Sequence, residues 1–131
     1  MIGLDTNVLV RYLAQDDPRQ SQVASQLIES LTPESPGLIT TVVLAEIIWV
    51  MEDLYGASRE RVAAIVEKLL RTRTLVVQDA EPVWKALSRF RSGGTNFVDS
   101  LIERICAELG CRETYTFDKK AARHAGMILA S

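Results

Sequence analysis

Short apolar runs alternate along the chain with segments whose apolar residues recur every three or four positions. This alternation predicts strands and helices in turn. The runs that predict strands are Met1 to Leu4, Leu38 to Thr40, Thr74 to Val77, Glu113 to Thr116 and Met127 to Leu129. Strands that alternate with helices form a parallel sheet covered by helices on both faces, so the pattern predicts an α/β protein.

The predicted helices lie between these strands and begin at residues that favour the helix N-cap position. Their approximate ranges are 8–13, 21–31, 42–55, 59–71, 80–91 and 97–109, with a short helix after residue 118. The predicted caps are Asp5 or Thr6, Thr40 or Thr41, Ser58, Asp79 and Asp118. No repeat, linker or low-complexity segment interrupts this order, so we expect a single domain over residues 1–131.

The amino-acid composition excludes some kinds of functional site but does not identify one. The apolar fraction of 47 % is high enough for a packed core, and the net charge of −2 gives no global basic field. Any nucleic-acid contact must therefore come from a local patch. Cys106 and Cys111 match no zinc spacing, and the chain has a single histidine, so neither a zinc site nor a disulfide framework is expected.

The chain carries no segment that predicts membrane insertion or export. Its longest apolar stretch, Val42 to Met51, is too short to span a bilayer and contains Glu46. The N-terminus lacks a basic flank and a small-residue cleavage site. We expect a protein of the cytoplasm without a membrane partner.

Acidic residues follow two of the predicted strands. Asp5 comes after the first strand and Asp118 after the fourth, while Asp99 lies in the first turn of the helix that follows Gly93-Gly94. Open parallel sheets bind their ligands at the carboxyl ends of the strands. We therefore expect these three carboxylates near one edge of the sheet.

Glu46 is a fourth acidic residue, within an apolar predicted helix. Val42, Glu46, Trp49, Val50 and Asp53 share one side of that helix, and the flanking positions are apolar almost all the way round. The pattern therefore predicts a buried helix, in which an ionised glutamate without compensation costs several kcal/mol. No Lys or Arg stands within one turn on that side, and a divalent cation would compensate the charge.

Four clustered carboxylates repel one another without a cation, and at least one pKa should rise. With Mg²⁺ or Mn²⁺ they form a site of oxygen ligands suited to phosphate substrates and to activation of a water nucleophile. Purely structural roles remain open: helix capping for Asp5 and Asp118, a capping box of Asn96 with Asp99, and an arginine partner for Glu46.

Four sequence blocks resemble those of the VapC-type PIN-domain toxins, in order and in spacing over the whole chain. The blocks are Leu4-Asp5-Thr6-Asn7, Thr41-Val-Val-Leu-Ala-Glu46, Asn96-Phe-Val-Asp99-Ser-Leu-Ile and Thr116-Phe-Asp118. The resemblance implies a three-layer α/β/α PIN-like domain with a parallel sheet of four to five strands. It also implies an endoribonuclease dependent on Mg²⁺ or Mn²⁺, a homodimer and a cognate antitoxin in a type II toxin–antitoxin pair.

By matching position, the resemblance assigns metal binding and catalysis to Asp5, Glu46, Asp99 and Asp118. Supporting polar positions fall on Thr6, Asn7, Asn96 and Thr116, which would orient the carboxylates. Many relatives carry an acid where this chain has Asn96, so a weaker second metal site is one consequence.

Arg89 and Arg91 are candidate RNA contacts, because they precede the Gly-Gly break near the expected site. A solvated helix face is the alternative interpretation of these two arginines.

The sequence also leaves two other functions open. A receiver-like signalling domain would use Asp79, after the third strand, as its phosphoacceptor. A non-catalytic binding module would retain the PIN fold without cleaving RNA.

Overall fold

The computed structural model describes residues 1–131, which form seven helices and five strands. The chain divides into two compact units, Met1–Gln78 and Asp79–Ser131. The expectation of a single domain over residues 1–131 stays a prediction. No helix is both long enough and apolar enough to cross a membrane.

The first unit is built on a parallel sheet of three short strands. Strands β1 (Ile2–Gly3), β2 (Gly37–Ile39) and β3 (Leu75–Val77) are paired in that order. The register aligns Gly3 with Leu38 and Leu38 with Val76. Since all three strands run in the same direction, their carboxyl ends lie along one edge of the sheet.

Two helices follow each of the first two strands. Helices α1 (Thr6–Ala14) and α2 (Pro18–Glu29) connect β1 to β2, and α3 (Thr41–Asp53) and α4 (Arg59–Arg71) connect β2 to β3. The side chains of Asp17, Thr40 and Ser58 accept hydrogen bonds from backbone N–H groups in the first turns of α2, α3 and α4. These caps satisfy donors that a helix N-terminus leaves without partners.

The core of the first unit is aliphatic. Leu9, Ile39, Leu44, Ile47 and Val66 have no exposed side-chain surface. They come from α1, β2, α3 and α4, so burial of these residues fixes the helices against the sheet. The buried residues of α1 and α4 lie on one side of each helix, as the periodicity predicts, whereas α3 carries apolar residues on its exposed side as well.

The second unit holds the other helices and a sheet of two strands. Helices α5 (Ala80–Ser92) and α6 (Phe97–Glu108) precede β4 (Tyr115–Thr116), α7 (Lys119–His124) and β5 (Ile128–Leu129). Strands β4 and β5 pair in parallel, with Tyr115 opposite Ile128. Phe90 on α5 and Phe97 on α6 make an edge-to-face contact, with ring centroids 5.9 Å apart.

The predicted α/β class, the order of the elements and the parallel pairing are confirmed. The five strands, however, form one sheet of three and one of two, where a single sheet was expected. Strands β1, β4 and β5 have only two residues each, and such short strands form few ladder hydrogen bonds. Cys106 and Cys111 are both free.

Candidate metal centre

The first unit presents Asp5 directly after β1, at the N-cap of α1. The Asp5 side chain is exposed, and its Oδ1 accepts a hydrogen bond of 2.8 Å from the backbone N–H of Thr6. Its Oδ2 accepts no hydrogen bond from the protein. The capping role is therefore present, but it occupies only one of the two carboxylate oxygens.

Glu46 lies on α3, on the side that the periodicity predicts, but that side faces solvent. Glu46 is exposed, and so are Val42 (70 %) and Trp49 (51 %) on the same side. The prediction that Glu46 is buried is wrong, because the core contacts are made by Leu44, Ile47 and other residues on the opposite side. The desolvation argument for a compensating cation consequently fails for this residue.

A hydroxyl group connects Glu46 to the first strand–helix junction. Oγ1 of Thr6 donates a hydrogen bond of 2.8 Å to Oε1 of Glu46, across 40 residues of sequence. No Lys or Arg forms an ion pair with Glu46, and Oε2 accepts no hydrogen bond from the protein. Asp5 and Glu46 are thus neighbours around Thr6, and each keeps one oxygen without a hydrogen bond from the protein.

These residues line a cleft of about 360 Å³ in the first unit. Its lining consists of Asp5, Thr6, Asn7, Val10, Arg11, Glu46, Val50, Leu54 and Tyr55. The supporting position predicted for Asn7 falls in this lining. The contributions of Arg11 and Tyr55 were not predicted from the sequence.

Arg11 at the cleft wall is held by Asp16 instead of by the acidic pair. Its Nη1 donates to Oδ1 of Asp16 at 3.2 Å, and the Tyr55 hydroxyl donates to Oδ2 of Asp16 at 2.5 Å. The hydrogen bond from Tyr55, together with Arg11, lowers the pKa of Asp16. The guanidinium is therefore compensated by Asp16, and it forms no ion pair with Asp5 or Glu46.

The second unit presents Asp99 in the first turn of α6. Oδ1 of Asn96 accepts a hydrogen bond of 3.2 Å from the backbone N–H of Asp99 and caps the helix. The Asp99 carboxylate itself is half-buried and receives no hydrogen bond from the protein. Burial raises its pKa, and the negative charge of Asp118 raises it further. A raised carboxylate pKa is thus found at Asp99, but its larger cause is burial, and the predicted repulsion between acids contributes only through Asp118.

Asp118 is the partner of Asp99 in this unit and the N-cap of α7. Its Oδ1 accepts hydrogen bonds from the backbone N–H groups of Lys120 and Ala121, at 2.8 and 3.2 Å. Oγ1 of Thr116 accepts from the backbone N–H of Asp118 at 3.0 Å, so Thr116 holds the turn that presents the carboxylate. Oδ2 of Asp118 accepts no hydrogen bond from the protein.

The raised pKa of Asp99 gives a stability prediction for the metal-free protein. When the pKa of a carboxyl group is higher in the folded state than in the unfolded state, ionisation of that group destabilises the fold. This destabilisation is absent at low pH and fully present once the pH exceeds the raised pKa. Asp99→Asn should therefore raise the melting temperature in chelator at pH 7 by a small but measurable amount, because the side chain is only half-buried and solvent screens its charge. The gain should disappear as the pH falls toward 4.

Glu34→Gln is the matched control, because it removes one carboxylate charge from an exposed loop residue. Thermal melts of both variants over a pH series provide the comparison. A melting temperature for Asp99→Asn that is equal to or below that of the wild type at pH 7 would contradict the electrostatic account.

The structure thus brings the four predicted acids together in pairs: Asp5 with Glu46 in the first unit, and Asp99 with Asp118 in the second. Neither unit on its own gathers three or more His, Cys, Asp or Glu side chains in a group that could hold a metal ion. Each pair consists of oxygen donors, which are the ligands of Mg²⁺ and Mn²⁺ in proteins.

The two candidate RNA contacts have different surroundings. Nη1 of Arg89 donates to Oε1 of Glu103 at 3.2 Å and to the backbone carbonyl of Ala125, and both bonds tie α5 to its neighbours in the second unit. Arg91 is exposed in the last turn of α5. The contacts of Arg89 therefore indicate a structural role.

The fold and these acidic pairs define a class of protein: an α/β fold in which Asp5 and Asp118 follow parallel strands, each beside a second carboxylate, and none of the four is paired with Lys or Arg. The chain matches the family model of the PIN domain over residues 2–127 and belongs to the PIN-domain family. PIN domains are generally metal-dependent nucleases that bind divalent cations and act on nucleic acid. Comparisons with curated proteins and with solved structures gave no significant match.

Membership in the PIN family leaves the receiver-domain alternative without support. Asp79, the phosphoacceptor of that alternative, follows β3 at the N-cap position of α5, in the left-handed backbone region with φ of 55°. Its side chain makes no capping hydrogen bond to the helix, so the predicted capping role of Asp79 is wrong. In the left-handed conformation the side chain is not directed at the first-turn N–H groups in the usual way.

Proposed function

We propose that this PIN domain is an endoribonuclease dependent on Mg²⁺ or Mn²⁺, with Asp5, Glu46, Asp99 and Asp118 as its metal ligands. One observation carries the proposal. Each of the four carboxylates keeps an oxygen free of protein hydrogen bonds, and none of them is paired with Lys or Arg. Structural carboxylates in other parts of the chain, such as Asp16 and Glu103, do have such cationic partners.

The donor set fits a hard divalent cation. Mg²⁺ commonly binds through one or two carboxylates together with substrate phosphate and water, so each acidic pair is chemically sufficient for this role. A divalent cation held there supplies Lewis-acid activation of water and neutralises negative charge that develops on the phosphate. The protein's part is to hold the carboxylates, through the Thr6 hydroxyl at Glu46 and the α7 backbone at Asp118.

The proposal extends to the partners that the VapC resemblance implies. We include a homodimer, a cognate antitoxin and a toxin role in a type II pair, acting on RNA in the cytoplasm. Exposed apolar side chains on α2 and α3 and just beyond α3 support a protein partner, among them Val23 (60 %), Trp49 (51 %) and Leu54 (76 %). Exposed apolar patches mark protein interaction surfaces, and an amphipathic partner helix would bury these side chains.

Cleavage of total RNA with each metal and with chelator tests the function. We expect discrete cleavage products with Mg²⁺ or Mn²⁺ and none with excess EDTA, because the carboxylates alone provide no activated nucleophile. Mapping the new 5′ ends then gives the cleavage site. Cleavage that persists in EDTA, or that is equally strong with Asp5→Asn, would contradict the proposal.

A further inference from the structure

A pocket of about 500 Å³ in the second unit is surrounded by basic residues, whose aliphatic parts form most of its wall. It is formed by Gly94, Lys119, Lys120, Arg123 and His124. Three formal positive charges and an imidazole thus fall within six consecutive residues of a chain whose net charge is −2. This concentration of charge sets the pocket apart from the rest of the unit.

The basic side chains of this pocket have no acidic partners. Elsewhere in the second unit, Lys85 pairs with Glu81 and Glu108, Arg89 and Arg104 pair with Glu103, and Arg112 pairs with Glu113. By contrast, Lys119, Lys120 and Arg123 are exposed and form no ion pair. An uncompensated group of cations attracts a polyanion and releases counterions when it binds one.

The loop between α5 and α6 gives the pocket its shape. Gly94 has φ of +83°, and a Cβ atom there would lie 2.6 Å from Nδ1 of His124. Only glycine therefore allows the imidazole to pack against the loop backbone at this point. The same loop leads directly to Asn96 and to Asp99 in the first turn of α6.

The basic pocket adjoins the acidic pair of the same unit. Lys119 and Lys120 are the two residues after Asp118, and the backbone N–H of Lys120 donates to the Asp118 carboxylate. A chain of phosphates lying across the pocket would therefore pass the Asp99–Asp118 pair. The carboxylates would hold a cation at the phosphodiester bond that is cleaved. The basic residues beside them would bind neighbouring phosphates of the same chain.

We propose that Lys119, Lys120, Arg123 and His124, with Gly94, bind the phosphate backbone of single-stranded RNA beside the Asp99–Asp118 pair. This inference rests on the proposed nuclease function, since it assigns the path of the same substrate. The contacts are to phosphates, so they position the RNA and carry no sequence preference. An acidic protein segment is the competing occupant that the experiment distinguishes.

The test measures RNA binding separately from cleavage. The triple variant K119Q/K120Q/R123Q removes the three cations, and R61Q/R71Q/R73Q removes three exposed cations from α4 and the residues after it in the first unit. Affinity for a short poly(U) oligoribonucleotide is measured in EDTA over a salt series. We expect the pocket variant to bind about tenfold or more weakly, with a salt slope reduced by about 0.7 for each phosphate that the variant no longer binds.

The control variant should retain the wild-type affinity and salt slope, although its net charge changes by the same amount. In Mg²⁺, the pocket variant should show a raised KM for RNA cleavage with kcat largely kept, as expected when binding is weakened away from the reacting atoms. Equal affinity and slope for the wild type and the pocket variant would overturn the inference. Equal losses in both triple variants would also overturn it, because the effect would then be non-specific.

Two further results separate this inference from the proposed function. Wild-type protein that binds poly(U) through the pocket but cleaves no RNA would refute the nuclease and leave the RNA-binding assignment in place. Cleavage with an unchanged KM in the pocket variant would refute the assignment and leave the nuclease. Polyglutamate that competes as well as RNA for the pocket would indicate the acidic protein segment and would refute the RNA assignment.

Discussion

Asp118→Asn is expected to lower kcat/KM for RNA cleavage by about 100-fold or more, with the protein still folded. Asp5→Asn, Glu46→Gln and Asp99→Asn should have effects of the same order. Each change replaces one oxygen ligand and one negative charge by a neutral amide of the same shape. A hard cation binds such a site less tightly, and the remaining ligands orient it less well. Initial rates at several Mg²⁺ concentrations measure the loss.

The amide variants are chosen to preserve the helix caps. Asn is as good an N-cap residue as Asp, so Asp118→Asn should keep the hydrogen bonds to Lys120 and Ala121 that begin α7. Asp118→Ala would lose both the ligand and the cap. Glu34→Gln provides a control for the loss of one exposed charge. Full activity in any two of the four amide variants would show that the site is wrongly assigned.

The local elements of this fold are largely predictable from the sequence. The helices begin at Thr41 and Arg59 because Thr40 and Ser58 cap them, and each of these signals lies within a few residues of the helix that it begins. The metal-ligating candidates were likewise found from short sequence blocks. Such information is local, and a single sequence contains it.

The surroundings of Glu46 were not predictable in the same way. Periodicity correctly indicated that Val42, Glu46 and Trp49 share a side of α3, but an apolar helix gives little information about which side the core covers. In the structure, the core covers the side of α3 that carries Leu44, Ile47 and Ile48. That choice depends on packing against distant segments, which the local pattern of α3 does not record.

Side-chain contacts between residues far apart in the sequence were also not predictable from the pattern of apolar and polar positions. The hydrogen bond from Thr6 to Glu46 and the ion pair of Arg89 with Glu103 join different elements. From the sequence, Arg89 is a candidate RNA contact, whereas the structure pairs it with Glu103. The basic residues after Asp118 were visible in the sequence, but only the ion pairs elsewhere in the unit show that this group is the uncompensated one.

The core contact beneath Asp99 gives the second large expected effect. Phe97 is 1 % exposed, lies two residues before Asp99 at the start of α6 and packs edge-to-face against Phe90. Phe97→Ala should lower the free energy of unfolding by about 3–5 kcal/mol, through reduced burial and the cavity that remains. Phe117→Ala is the matched control, since Phe117 is 80 % exposed and surface substitutions change stability by only about 0.5 kcal/mol or less. Urea unfolding in chelator measures both variants, and a decrease for Phe97→Ala no larger than that for Phe117→Ala would show that this aromatic contact does not hold the start of α6, and with it Asp99, in place.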